Sequence, residues 1–185
     1  TPWKIGSCEI KNRIVVCPMG GTSLFGWMEP HHFDKDASEF FMDIAKHDAG
    51  LIIPGIAPIR NLIGGGWLYK ANGAFKKLKT YMEELHKTGA KLFVQLTAGF
   101  GRSFSIPNSM VPILKNKFLS GLLKPVINLS RLCASPSKLP SRWYPQYTCR
   151  ELKAKEIRQM VKAFAKTAKK CKEAGVDGVE IHAVH

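Results

Sequence analysis

Three stretches of the chain repeat one pattern, and that pattern restricts the fold more than any other feature. Residues 34–48 carry Phe40, Phe41, Ile44 and Ala45 at helical spacing, followed by Gly50 and then Leu51-Ile52-Ile53. Residues 71–88 carry Phe75, Leu78, Met82 and Leu85, followed by Gly89 and Leu92-Phe93-Val94. Residues 151–174 carry Ile157, Met160, Val161, Phe164, Ala168 and Cys171, followed by Gly175 and Val179-Glu180-Ile181. Each reads as a helix with one apolar face, a glycine just past its end, and a short strand. Ile14-Val15-Val16-Cys17, ended by Pro18, supplies another strand before the first helix. Apolar strands alternating with amphipathic helices predict a parallel sheet covered by helices. Four strands and three helices make about half of a (β/α)8 TIM barrel, which takes about 250 residues. An open doubly wound sheet would continue past its last strand with a covering helix. The expectation is an α/β chain in which residues 1–185 form about the first four units of a (β/α)8 barrel cut from something longer. The opening Thr1-Pro2-Trp3, without a start Met, points the same way.

The connections carry further signals. Residues 54–70 are rich in Gly and Pro and include Gly64-Gly65-Gly66. Residues 98–150 are far too long for a plain connection, and such excursions usually form lids or binding segments. Within them, residues 110–129 place Leu114, Phe118, Leu122 and Leu123 at roughly helical spacing, as in a short lid helix; a membrane-surface helix is the alternative. Residues 3–10, with Gly6-Ser7 at the centre, predict a hairpin plugging the bottom of a barrel.

Charge singles out the same excursion. The chain has 28 Lys plus Arg against 14 Asp plus Glu, a net charge of +14. Eight of those basic residues (Arg102, Lys115, Lys117, Lys124, Arg131, Lys138, Arg142, Arg150) lie in residues 98–150, which contain no carboxylate. This is either a solvated loop or a device for an anionic partner. With 45% hydrophobic residues the chain can bury a core, which excludes a disordered basic tail. No apolar run reaches the roughly 20 residues of a membrane span, and no leader opens the chain, so a cytoplasmic protein is expected. Five scattered cysteines with no C-x-x-C pair exclude a zinc ribbon or a cysteine-bound iron–sulfur cluster here, and read as buried reduced thiols.

In parallel α/β folds, chemistry gathers at the C-terminal ends of strands. Those ends are Pro18-Met19-Gly20-Gly21-Thr22, Pro54-Gly55-Ile56-Ala57-Pro58, Gln95-Leu96-Thr97 and His182-Ala183-Val184-His185. Small residues at two of them let a flat ligand lie against backbone. Gln95 offers a donor and an acceptor suited to an imide edge; a Gln satisfied inside the barrel is the alternative. If Ile181 points outward, His182 points into the barrel mouth, where His182 and His185 could clamp a carbonyl oxygen. A zinc pair, or exposed histidines, remain open from the residues alone. His31-His32 and the Lys76-Lys77-x-Lys79 cluster read as solvent-facing. Neither a G-x-G-x-x-G after a strand, a Walker loop nor a G-x-S-x-G elbow occurs.

Taken in order, Ile10-Lys11-Asn12-Arg13-Ile14 with Pro18-Met19, Gly50-Leu51-Ile52-Ile53 with Ile56-Ala57-Pro58, Gln95-Leu96 with Gly101-Arg102, Ala134-Ser135-Pro136-Ser137, and residues 174–182 form a specific set. The chain resembles the N-terminal half of an Old Yellow Enzyme-type NADH:flavin oxidoreductase, nearest the branch of 2,4-dienoyl-CoA reductases and bile-acid 3-oxo-steroid-CoA oxidoreductases. The resemblance implies an FMN-dependent barrel with NAD(P)H as reductant. It puts Pro18, Met19 and Gly20 along the isoalloxazine, Gly55 close to it, and Gln95 on its pyrimidine edge. His182 and His185 would hold the carbonyl oxygen of an enone or an enoyl- or 3-oxo-acyl-CoA while hydride passes to the β-carbon, or returns in desaturation. A proton-donating Tyr and the flavin-phosphate strands would lie beyond His185, as would any 4Fe–4S and FAD modules. Two departures stand out: Thr97-Ala98-Gly99-Phe100 replaces the family's His-containing segment, and the second strand end is one residue short. A small-molecule substrate, a CoA thioester among the candidates, and the remaining half-barrel are the implied partners. The competing reading is a basic nucleic-acid- or anion-binding module without catalysis, though Phe100, Phe104 and Phe118 form no known RNA-binding pattern.

Overall fold

The computed structural model describes residues 1–19, 26–61, 64–105, 112–113, 116–125 and 128–183. The chain opens on an antiparallel hairpin, β1 (Trp3–Ile5) with β2 (Cys8–Ile10). After β3 (Val15–Val16), a second hairpin, β4 (Met28–Glu29) with β5 (His32–Phe33), leads into α1 (Lys35–Lys46). Next come β6 (Leu51–Ile52), β7 (Ala57–Pro58), α2 (Asn72–His86) and the long strand β8 (Lys91–Thr97). The excursion holds α3 (Lys117–Leu123), α4 (Leu129–Leu132) and a two-stranded parallel pair, β9 (Ala134–Ser135) with β10 (Arg150–Glu151). α5 (Ala154–Glu173) and β11 (Gly178–Ile181) follow.

The main sheet runs β3-β6-β8-β11, with every neighbouring pair parallel, and β7 also pairs with β8. Spatial order therefore equals chain order. A doubly wound sheet reverses direction at a switch point; a barrel adds each strand beside the last. The architecture is the opening half of a (β/α)8 barrel.

Strand alternation divides the sheet into two faces. Ile52, Leu92, Val94 and Leu96 meet Phe41 and Ala45 of α1, Phe75, Leu78, Met82 and Leu85 of α2, and Ala163 and Cys171 of α5 in one core. On the opposite face, Leu51 and Ile53 pack with Ile10 of the first hairpin, flanked by Trp3, Val15 and Phe93. That hairpin plugs the interior at the N-terminal ends of the strands, as its position in the sequence predicts.

Several details differ from the sequence reading. After α2 and α5 the left-handed residues are Gly89 and Gly175, at φ 75° and 86°. After α1 the left-handed residue is Asp48, at φ 72°, not Gly50. Asp tolerates this conformation because its short polar side chain can bond locally. Gly50 serves a different need, since a Cβ there would lie 2.4 Å from Asn12 Oδ1. The hairpin at residues 28–33 lies outside the strand-helix periodicity, and it leaves His32 half-buried, not solvent-facing, while His31 is exposed. Within the apolar pattern of residues 110–129 the described residues form a helix over Lys117–Leu123, on which Phe118 and Leu122 are 79% and 71% exposed; Leu114 lies outside the described residues. Cys133, Cys149 and Cys171 are buried, but Cys8 is half-buried and Cys17 is exposed at the end of β3. Burial pushes the Cys133 and Cys171 thiols up to about 12, so both are poor nucleophiles at neutral pH. Among the described residues no helix is long and apolar enough to cross a membrane.

Candidate functional site

The site lies at the C-terminal ends of the parallel strands, on the interior face above the hairpin plug. Gln95 is buried on β8, in register with Glu180 of β11. Residues paired this way point to the same side of the sheet, so both face the interior with Phe93. Gln95 Nε2 donates to Glu180 Oε1. Glu180 is thus a site residue that the sequence reading placed in a strand but gave no role. The available signal was strand alternation, which sets it on the same face as His182.

The ladder continues one step past β11, where His182 N–H donates to Leu96 O at 2.9 Å. His182 has the parity of Glu180 and is half-buried at the mouth, as expected with Ile181 turned to the opposite face. Beside it, Thr97 is buried, and its hydroxyl both donates to Gly99 O and accepts from Gly99 N–H, at 3.2 Å each. This closed turn carries the chain out of the sheet toward Gly101-Arg102 in the segment that departs from the family pattern.

The other strand ends complete the rim. Pro18 and Met19 follow β3, and Met19 is 51% exposed. Gly55 is buried in the jog between β6 and β7, where pairing resumes with Ala57 opposite Leu96. Trp27 N–H donates to Ile56 O at 3.0 Å, holding the segment after Gly26 over this jog. Gly20 and His185 lie outside the described residues. Gln95 and His182 are therefore brought to one face with Glu180, while Pro18, Met19 and Gly55 stand at the neighbouring strand ends. An exposed thioether, small residues, a fixed amide and an imidazole can together receive a flat heteroaromatic ring with a polar edge.

The family model for the NADH:flavin oxidoreductase / NADH oxidase family matches residues 1–185. The chain belongs to this family. Cinnamate reductase of Clostridium sporogenes is 37% identical to it over 191 residues, covering 100% of this chain and 25% of that protein. An NADPH dehydrogenase of Bacillus velezensis is 27% identical, covering 100% of this chain and 48% of that enzyme. Among solved structures, the Old Yellow Enzyme from Pichia sp. AKU4542 superposes with a TM-score of 0.69 at 23% identity, over 98% of this chain and 44% of that one. Morphinone reductase superposes at 0.68 and 21%, over 100% and 47%. The chain spans about half or less of the length of these relatives, and the two structural likenesses support the barrel fold.

Proposed function

We propose that this chain supplies the first half of an FMN-binding barrel in a protein that reduces an activated C=C bond with NAD(P)H, or runs the reverse desaturation. The observation that carries the reading is the convergence of Gln95, Glu180 and His182 at the mouth of a barrel in this family. The donor set fits FMN: Pro18, Met19, Gly20 and Gly55 would line its ring and Gln95 would bond its pyrimidine edge. Bound there, FMN supplies the hydride. Glu180 holds one N–H of the Gln95 amide, which fixes the amide plane and leaves the second N–H and the carbonyl to face a ligand.

His182, with His185, would donate to the carbonyl oxygen of an α,β-unsaturated acyl group. Such donors polarise the double bond and stabilise the negative charge that builds on oxygen, in a setting partly shielded from water. The basic excursion favours an acyl substrate carried on an anionic group, so a CoA thioester ranks above a neutral enone. This reading agrees with the 2,4-dienoyl-CoA reductase and bile-acid oxidoreductase branch; any 4Fe–4S and FAD modules would lie outside residues 1–185. The test is an anaerobic assay of the full-length protein, following NAD(P)H oxidation that depends on an enone or enoyl-CoA. His182→Ala is expected to lower kcat by about 100-fold or more. Full-length protein that purifies and reconstitutes without flavin would sink the reading.

A further inference from the structure

The excursion contains a second cleft that the reaction site does not use. It is open, about 530 Å³, and among its walls are Arg102, Arg142, Ser103, Ser135 and Ser137. Its two sides come from distant parts of the chain and are laced together. Arg142 N–H donates to Arg102 O at 2.8 Å, and Trp143 Nε1 donates to Ser103 O at 3.1 Å. Ser135 Oγ donates to Ser137 O at 2.6 Å, which braces the Ser-Pro-Ser wall.

The two guanidiniums are exposed, and among the described residues neither is paired with a carboxylate. Arg142 instead lies over the Trp143 ring, 5.2 Å from its centroid. Other arginines are already occupied: Arg150 binds Glu156, and Arg60 donates to Gly65 O and stacks on Trp67. Two planar cations beside hydroxyls, in a stretch of sequence without a single acid, are the chemistry that suits a multiply charged oxyanion. Gly101-Arg102 begins only four residues after the end of β8, so the cleft sits on the same end of the barrel as Gln95 and His182.

We propose that this cleft binds the phosphate or pyrophosphate of a nucleotide-bearing ligand of the reaction. Both a nicotinamide dinucleotide and a CoA thioester present this chemistry. The existence of the site does not depend on the flavin reading; the identity of its ligand does.

Isothermal titration of inorganic pyrophosphate into the full-length protein, at about 50 mM salt, tests the site directly. Saturable binding is expected, weakened about tenfold by Arg142→Gln or Arg102→Gln and abolished by the pair. Arg142→Lys should restore only part, because ammonium lacks the planar fork. Thermal melts confirm that each variant folds, since Arg142 is exposed. Binding unchanged in the folded double variant overturns the site. In the full-length enzyme, a KM raised by Arg142→Gln for the CoA ester identifies the acyl carrier, and one raised for NAD(P)H identifies the dinucleotide. Loss of pyrophosphate binding with neither KM moved overturns the assignment to a reaction ligand. Pyrophosphate binding by protein that holds no flavin would leave the site standing and fell the reductase reading alone.

Discussion

Asn12 ties three segments with one residue. Its Nδ2 donates to Asp48 O at 2.6 Å, its Oδ1 accepts from Ile14 N–H at 3.0 Å, and its carbonyl accepts from Trp3 Nε1 at 2.6 Å. Lys11 beside it donates to Thr88 O and pairs with Asp48 at 2.9 Å. The Ile-Lys-Asn-Arg motif is thus, in its Lys and Asn, a clamp that joins the plug hairpin to the starts of β3 and β6. Gly50 lies so close that a Cβ would meet both Asn12 Oδ1 and, at 2.9 Å, its main-chain oxygen. Gly50→Ala is expected to cost about 1–3 kcal/mol, as overpacking does. For a chain of this size each kcal/mol lowers Tm by roughly 2–4 °C, which thermal circular dichroism will measure. A melt unchanged within error would show that Asn12 moves aside freely. The motif was visible in the sequence, but its work was not, because the backbone oxygens it serves lie 36 and 77 residues away.

At the scale of an element, α5 shows how a poor cap is repaired. Its N-cap is Lys153, whose side chain has no acceptor, so the first N–H groups need another partner. Glu156 supplies one, accepting from Lys153 N–H at 2.8 Å while Arg150 donates to both of its carboxylate oxygens. The Arg150 guanidinium first, then that N–H, hold the Glu156 carboxyl down at about 2, against an ordinary 4.5. A carboxyl lowered on folding adds stability that is complete above its unfolded value and is lost as pH falls through its folded one. The Tm is therefore expected to drop between pH 4.5 and about 2 partly through Glu156. Glu156→Gln should lower Tm at pH 7 and flatten that part of the profile; parallel profiles would show no linkage. α2 makes the opposite kind of contribution, through Phe75, Leu78, Met82 and Leu85 buried against the sheet. Leu78→Ala should cost about 2–5 kcal/mol in chemical denaturation.

Across the whole molecule, the outer face of β11 is bare. Val179 and Ile181 are 36% and 54% exposed, and Ile157 and Val161 of α5 are exposed as well. β11 is also a sheet edge, paired only with β8 among the described residues. An exposed apolar edge recruits further strands. Residues 1–185 prepared alone are expected to self-associate in sedimentation velocity and to retain FMN well below stoichiometry. Ile181→Lys should reduce that association; a stable monomer holding one FMN per chain would contradict both expectations.

Periodicity by itself determined the order of the four main-sheet strands and the three helices that cover them, the plug hairpin and the faces on which Gln95 and His182 stand. These follow from spacing along a short segment, since a period of two or 3.6 residues assigns faces without reference to the rest of the chain. What only the tertiary structure decided is which faces meet. Gln95 and Glu180 are 85 residues apart, and their pairing depends on the register of β8 against β11. Arg102 and Arg142 share a cleft because the excursion folds back on itself, and Gly50 is tight because Asn12 returns to it. Register and return paths are set by packing among distant segments, so no local pattern encodes them.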